Sequence, residues 1–352
     1  MKIKGKTLFK SRGMDTHAIT ILSLMCLVLL AMALTYPTSF FTLKNVKSMI
    51  FQMPEYGILA LGMMVCMIAG GIDLSLVGIM NLAGVVAAII VTKFAPAGSS
   101  GITTTVTIVA ASLVAILIGA VCGAFNGFII GYFKIPAMLV TLCGLQLYTG
   151  LAYGITGGPA INGMNDAFKE IANGDIFGIP YVLFIFIAVV LLVVFTMKST
   201  IFGHEVYFVG SNAVAAKYSG IDVLKTTIKV HAFSGIMGGI SGILITSHLN
   251  SAKSSNGATY TLLTLLIVVL GGVHPDGGRG RVSGVVLATV LLQLIANAFG
   301  LMYLDDNAKT FANGILLVAA LLLDVYLDKR RMARIKEVSQ MSTHENNKKE
   351  NK

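Results

Sequence analysis

The chain has 352 residues, 55 % of them hydrophobic and 12 % charged, with a mean hydropathy of +0.82 and a net charge of +10. Soluble domains carry roughly a quarter charged residues, so half the usual charge is missing and a soluble fold is excluded. The surplus base sits at the ends: residues 1–16 hold five Lys/Arg against one acid and 329–352 hold eight against three, while 17–328 balance thirteen against twelve. That distribution also excludes a nucleic-acid-binding surface, which would spread its basic groups over one face of a domain.

A helix needs about 20 apolar residues to cross a ~30 Å hydrocarbon layer. After the basic tail over 1–16 comes the run 17–35. It is too long for a signal-peptide core and lacks a small-residue cleavage site, so it reads as a retained first helix. Residues 56–71 are apolar but short, end at Gly70-Gly71, and gain length if joined to 43–55 across Pro54. Runs 74–92 and 103–130 follow, then a weaker one over 137–155 and, past the acidic stretch 156–178, another over 181–197. Residues 198–229 are too polar to span. The run 231–249 is next, and 260–272 is short and stops at Gly271-Gly272. Runs 282–303 and 311–327 complete the series, before a basic tail over 329–352 that is expected to be disordered.

The expectation is an all-α polytopic membrane protein of about ten transmembrane segments, two of them short and Gly-Gly-ended, with the membrane domain over 17–328. Cytoplasmic flanks are enriched in Lys and Arg. Both tails then lie in the cytoplasm, which requires an even number of crossings. The stretch 198–229, with Lys198, Lys217, Lys225 and Lys229, falls inside and 156–178 outside.

Candidate chemistry is sparse. No G-x-x-x-x-G-K-[ST] loop is present, and GGRGRVSG at 277–284 has neither the spacing nor the strand–helix setting of a dinucleotide loop. It reads as a tight turn between helices. Cys26, Cys66, Cys122 and Cys143 are isolated in apolar runs and read as packing residues. His274 and Asp276 fall short of a metal-ligand set, so neither a metal nor a cofactor is expected on this chain.

Ionisable groups within a span mark function because they are costly there, and here the spans hold almost none; Asp73, Asp276 and Asp305 sit at helix ends or turns. The interior instead offers Asn81, Asn126, Gln146, Tyr148, Gln293, Asn297 and Asn313. Such groups either hydrogen-bond a neutral hydroxylated solute along a translocation path or join helices to one another. Gly70, Gly71 and Asp73 have a counterpart in Gly271, Gly272 and Asp276, a pattern that reads as a diverged internal duplication. Interrupted segments in corresponding halves are a pointer to a transport pathway, and Asp73 reads as a cap for the following helix. In 203–221, Ala213–Tyr218 favours a short surface helix between Asn212, a capable N-cap, and Gly220, a capable terminator.

GGIDLSLVGIMNLAGVVAA (70–88), GAFNGFIIGYFKIPAMLVTL (123–142), GSNAVAAKYSGI (210–221) and VVLGGVHPDGGRGRVSGVVLATV (268–290) together resemble the permease subunits of bacterial ATP-binding-cassette (ABC) importers for simple sugars, of the ribose and autoinducer-2 type. The likeness covers roughly 20–327. It implies a type II-like importer permease in the bacterial inner membrane, pairing with a second permease subunit. It also implies two cytoplasmic ATPases, which bind the ATP and Mg, and an extracytoplasmic solute-binding protein. The family's ATPase-coupling loop falls on Gly210, Asn212, Ala215, Ala216, Gly220 and Ile221. The chain departs from the family at Ala213, where an acid often stands, and at His274–Asp276. A permease for nucleosides or another non-sugar solute, and a carrier working alone on an ion gradient, are the competing readings; a membrane enzyme lacks a nucleophile–base pair.

Overall fold

The computed structural model describes residues 16–305, 307–320 and 322. Both basic tails, apart from Thr16, and the end of the last apolar run lie outside the described residues.

Among the described residues, eight helices are long and apolar enough to cross a membrane. They are α1 (Thr16–Thr35), α3 (Leu43–Ile68), α4 (Leu76–Phe94), α5 (Ile102–Phe133), α6 (Ala137–Thr156), α8 (Tyr181–Ser199), α11 (Val223–Leu249) and α13 (Val282–Leu301). Reaching ten requires counting two shorter helices, α12 (Tyr260–Leu270) and α14 over 307–320.

One expectation is corrected. The segment ending at Gly70-Gly71 is not short: 43–55 and 56–68 form one 26-residue helix, α3, with Pro54 inside it. Pro removes one backbone hydrogen bond and crowds the preceding turn, which is why the sequence reads as two pieces. Every residue from Pro54 to Ile68 is buried. A helix apolar all round belongs at the centre of a bundle, and α11, α13, α12 and α8 pack around this one.

Among the described residues, the most extensive helix–helix contact is α5 against α11. Gly119, Gly123, Gly127 and Gly131 recur every fourth residue and so share one face of α5. A Cβ on Gly119 or Gly123 would overlap the carbonyl oxygen of Gly235 or His231, and one on Gly127 would lie 2.7 Å from the Cα of Ile228. Lipid offers no hydrophobic drive for helix association, so small residues that let backbones touch supply it through dispersion. The opposite faces of α1, α5, α6 and α8 expose large apolar side chains such as Leu34, Leu117, Leu142 and Leu191, as a lipid-facing surface requires.

The bundle has two unlike ends. One carries the turns 69–75, 134–136 and 271–281 together with two short helices, α9 (Ile201–Ser211) and α10 (Ala213–Tyr218). The other carries α2 (Pro37–Phe40), α7 (Asp166–Asn173) and two short antiparallel ladders. In these, β1 (Ile161–Asn162) pairs with β4 (Ser251–Ala252), and β2 (Asp175–Ile176) with β3 (Ile179–Pro180).

Candidate coupling element and buried polar sites

The polar stretch after α8 folds into two helices rather than one. Thr200 starts α9 by accepting from the Gly203 N–H. The Asn212 side chain then accepts from the N–H groups of Val214 and Ala215 at 3.0 and 2.9 Å, capping α10. At the far end Gly220 has φ +86°, the left-handed region that glycine enters freely. Its N–H donates to the Lys217 carbonyl and that of Ile221 to the Ala216 carbonyl, both at 3.1 Å, closing the helix in a Schellman turn. Ala216 is buried and seats the helix, while Val214 and Tyr218, one turn apart, are 66 % and 89 % exposed. The result is a rigid knob with an apolar tip. Asp222 caps α11 by accepting from the Lys225 N–H at 3.1 Å, and that bond holds its carboxyl below the ordinary range.

Gly210, near the end of α9, joins this element to the bundle. A Cβ there would overlap the carbonyl oxygen of Ile68, the last residue of α3, and would lie 2.7 Å from the amide of Gly278. That amide donates to the same Ile68 carbonyl at 2.8 Å. A Cβ on Gly277 would lie 2.8 Å from both the Gly210 oxygen and the Gly70 Cα. Three backbones therefore cross in contact: the end of α3, the end of α9 and the turn after α12. Tyr207, one turn earlier on α9, donates its hydroxyl to the Gly280 carbonyl at 2.9 Å. Burial pushes the Tyr207 pKa up, keeping that donor protonated. The first Gly-Gly pair thus meets the loop that follows the second, and both meet the element nominated for coupling. Gly271 itself packs on Val285 at the start of α13.

Five of the seven interior polar residues named above, all but Gln146 and Asn313, spend polar atoms on other parts of the protein. Asn126 donates to Ser75 Oγ at 2.8 Å and accepts from the Tyr148 hydroxyl at 2.8 Å. Asn297 and Asn45 exchange two hydrogen bonds at 2.8 and 2.9 Å. Gln293 accepts from the Tyr56 hydroxyl. Asn81 donates to the Ser254 carbonyl at 2.8 Å, while its Oδ1 is buried with no partner among the described residues. Gln146 is exposed on α6. Asn313 is half-buried on α14.

The interior is less free of acids than the sequence pattern implies. Asp73 is fully buried, accepting from the Ser75 amide at 3.0 Å, from the Ser75 hydroxyl and from the Ser234 hydroxyl at 2.8 Å. It braces the turn before α4 against α11 rather than serving as the N-cap, which is Ser75. Glu55, within α3, is 2 % exposed. It accepts from His248 Nδ1 at the end of α11 and from the Tyr260 hydroxyl at the start of α12, the latter at 2.9 Å. Sequence reading did not nominate Glu55, although joining 43–55 to 56–71 across Pro54 puts it within a span; the signal that reveals it is the continuity of α3 through Pro54. Among the described residues no group of three or more His, Cys, Asp or Glu side chains has the arrangement of a metal site.

Comparison with known proteins gives a consistent picture. Residues 45–321 match the family model described as "Branched-chain amino acid transport system / permease component". The ribose import permease protein RbsC of Haemophilus influenzae is 30 % identical over 310 residues, 87 % of this chain and 93 % of its own. The L-arabinose transport system permease protein AraH of Escherichia coli is 30 % identical over 301 residues, 83 % and 86 % of the two chains. The autoinducer 2 import system permease protein LsrD of Yersinia pestis is 29 % identical over 283 residues, 78 % and 82 %.

Proposed function

Because the chain belongs to this family of transport-system permease components, we propose that it is the membrane-spanning subunit of an ABC importer for a neutral, hydroxylated small solute. The solute class follows the relatives named for ribose, L-arabinose and autoinducer 2. In this reading the chain catalyses no reaction. Two copies, or one copy and a paralogue, form the passage. Two partner ATPases bind ATP and Mg beneath it, and an extracytoplasmic binding protein delivers solute from above.

The single observation that carries the reading is the backbone crossing at Gly210. A rigid, apolar-tipped knob stands at one end of the bundle, with Val214 and Tyr218 offered outward. It is continuous with a helix whose end touches both the central helix α3 and the turn beyond α12. A push on α10 is thereby delivered to α3, around which the other helices pack. In this reading that end is the cytoplasmic one and both termini lie inside, a side assigned from the basic tails. Among the residues nominated for the path, Asn81, Asn126, Gln146, Tyr148, Gln293 and Asn297 line or border the passage in one of its states. The five of them that now bond to other parts of the protein exchange those partners for solute on opening. A weak hold on the solute in both states suits such a passage, because a ligand bound equally to two states shifts neither.

Uptake tests the proposal. The chain is reconstituted in proteoliposomes with an ATPase and a binding protein encoded beside it, and labelled D-ribose or L-arabinose is supplied. The reading predicts accumulation that requires ATP and both partners. Accumulation by this chain alone on a proton or sodium gradient would establish the secondary-carrier reading instead.

A further inference from the structure

We propose that Glu55, His248, Tyr260 and Asn81 form a hydroxyl-reading subsite for the transported solute, built around the loop 250–259 at the end of the bundle opposite α10. The inference rests on the function proposed above and names the groups that would discriminate among solutes.

The loop does not stay at the protein's rim. After Ala252 it folds back between helices, so that the Ser254 carbonyl accepts from Asn81, which lies nearer the start of α4 than its end. Gly257 lies against Tyr260, with the methyl end of Met80 close by. Irregular backbone at membrane depth is tolerated only where it is buried in protein or lines a polar cavity. Here it is bordered by two acceptors with capacity to spare. Asn81 Oδ1 is buried and unpartnered. Glu55 receives one side-chain donor on each oxygen, from His248 and Tyr260, whereas the two oxygens of a carboxyl side chain offer about four lone-pair positions. Ser241 links the two sides, its hydroxyl donating to the Glu55 backbone carbonyl at 2.6 Å and lying 3.4 Å from the Met80 sulfur.

A tether alone does not call for a charge. Thr141 with the Ile72 carbonyl, and Ser247 with the Phe168 carbonyl, join elements in this same chain with neutral groups. A carboxylate buried within a span is the costly choice, and such groups mark function by default. The surplus is of acceptors, so the matching ligand is rich in donors and uncharged: a solute with adjacent hydroxyl groups. Aromatic faces stand beside the carboxylate, with Phe51 stacked on His248 and Tyr56 edge-on to Tyr260 at 5.6 Å between ring centres. They suit the apolar face of a sugar ring. Access is through His248, whose side chain is 24 % exposed, beside Tyr260 at the start of the short helix α12.

The test uses the reconstituted importer and compares uptake of D-ribose and L-arabinose with that of their singly deoxygenated analogues. In Glu55→Gln and Tyr260→Phe, discrimination against one particular deoxy analogue is expected to fall about tenfold, the analogue's own uptake changing little, because the acceptor or its positioning is lost. Equal loss for every sugar in both variants, unchanged ratios, or failure of both variants to assemble would assign the cluster to structure and overturn the subsite. If the wild-type importer accumulates neither sugar nor any analogue, the proposed solute class fails and the subsite falls with it.

Discussion

At the scale of single residues, two side chains define the proposed coupling element more sharply than the rest. Asn212 satisfies two amides that open α10, and replacing a cap of this kind by Ala costs about 1 kcal/mol. Asn212→Ala is therefore expected to leave insertion intact but to raise amide exchange across 213–218, measured by hydrogen exchange in detergent or nanodiscs. Tyr207→Phe removes only the hydroxyl that reaches Gly280. A net hydrogen bond is worth about 1 kcal/mol, so the variant should assemble normally while solute-stimulated ATP hydrolysis by the partner falls several-fold; unchanged stimulation would mean that the bond plays no part in coupling. The residue scale is also where sequence reading was most uneven. Asn212 and Gly220 were legible because caps are local chemistry, written within a few positions of where they act. Glu55 was not, because its partners lie about 200 positions away on α11 and α12 and no local pattern announces them.

Among the elements, the α5–α11 pair is the one whose loss should be least forgiving. Its four-residue glycine spacing on α5 is present in the sequence, yet it carries meaning only once the opposing helix is known to bring Gly235 and Gly239 against it. Overpacking a tight interface costs about 1–3 kcal/mol and occasionally more. Gly123→Leu, set against the His231 carbonyl, is expected to lower the thermal midpoint in detergent and to abolish assembly with partners, while Gly150→Leu on the exposed side of α6 leaves both unchanged. Equal effects of the two would show that the close approach contributes nothing. The helix α3 shows the opposite kind of legibility. Its composition reads plainly as membrane-embedded, but Pro54 makes it look broken, and only the surrounding helices explain why a continuous, fully buried helix is the better solution. Helix α9 was missed altogether, since Ile201–Ser211 mixes aromatic, charged and glycine residues without a clear period.

For the molecule as a whole, the uneven charge noted at the outset belongs to the two tails, whereas the described residues form a bundle with two unlike ends. The interior charge balance does not mean an interior without acids: Glu55 and Asp73 are both buried, each held by donors from other elements. The general architecture was readable because hydropathy and helix length are set by the bilayer itself. What the sequence withheld was proximity, above all the meeting of Gly70, Gly210 and Gly277 in one crossing of three backbones. That crossing is the central claim about mechanism, and Gly210→Ala probes it most directly, because the added Cβ would overlap the Ile68 carbonyl while leaving the exposed face of α10 untouched. The measurement is ATP hydrolysis by the reconstituted importer, with and without solute-loaded binding protein. The account predicts that Gly210→Ala still binds its ATPase and sustains basal hydrolysis but loses at least tenfold of the solute-driven stimulation. Full stimulation in a properly assembled Gly210→Ala complex would contradict it.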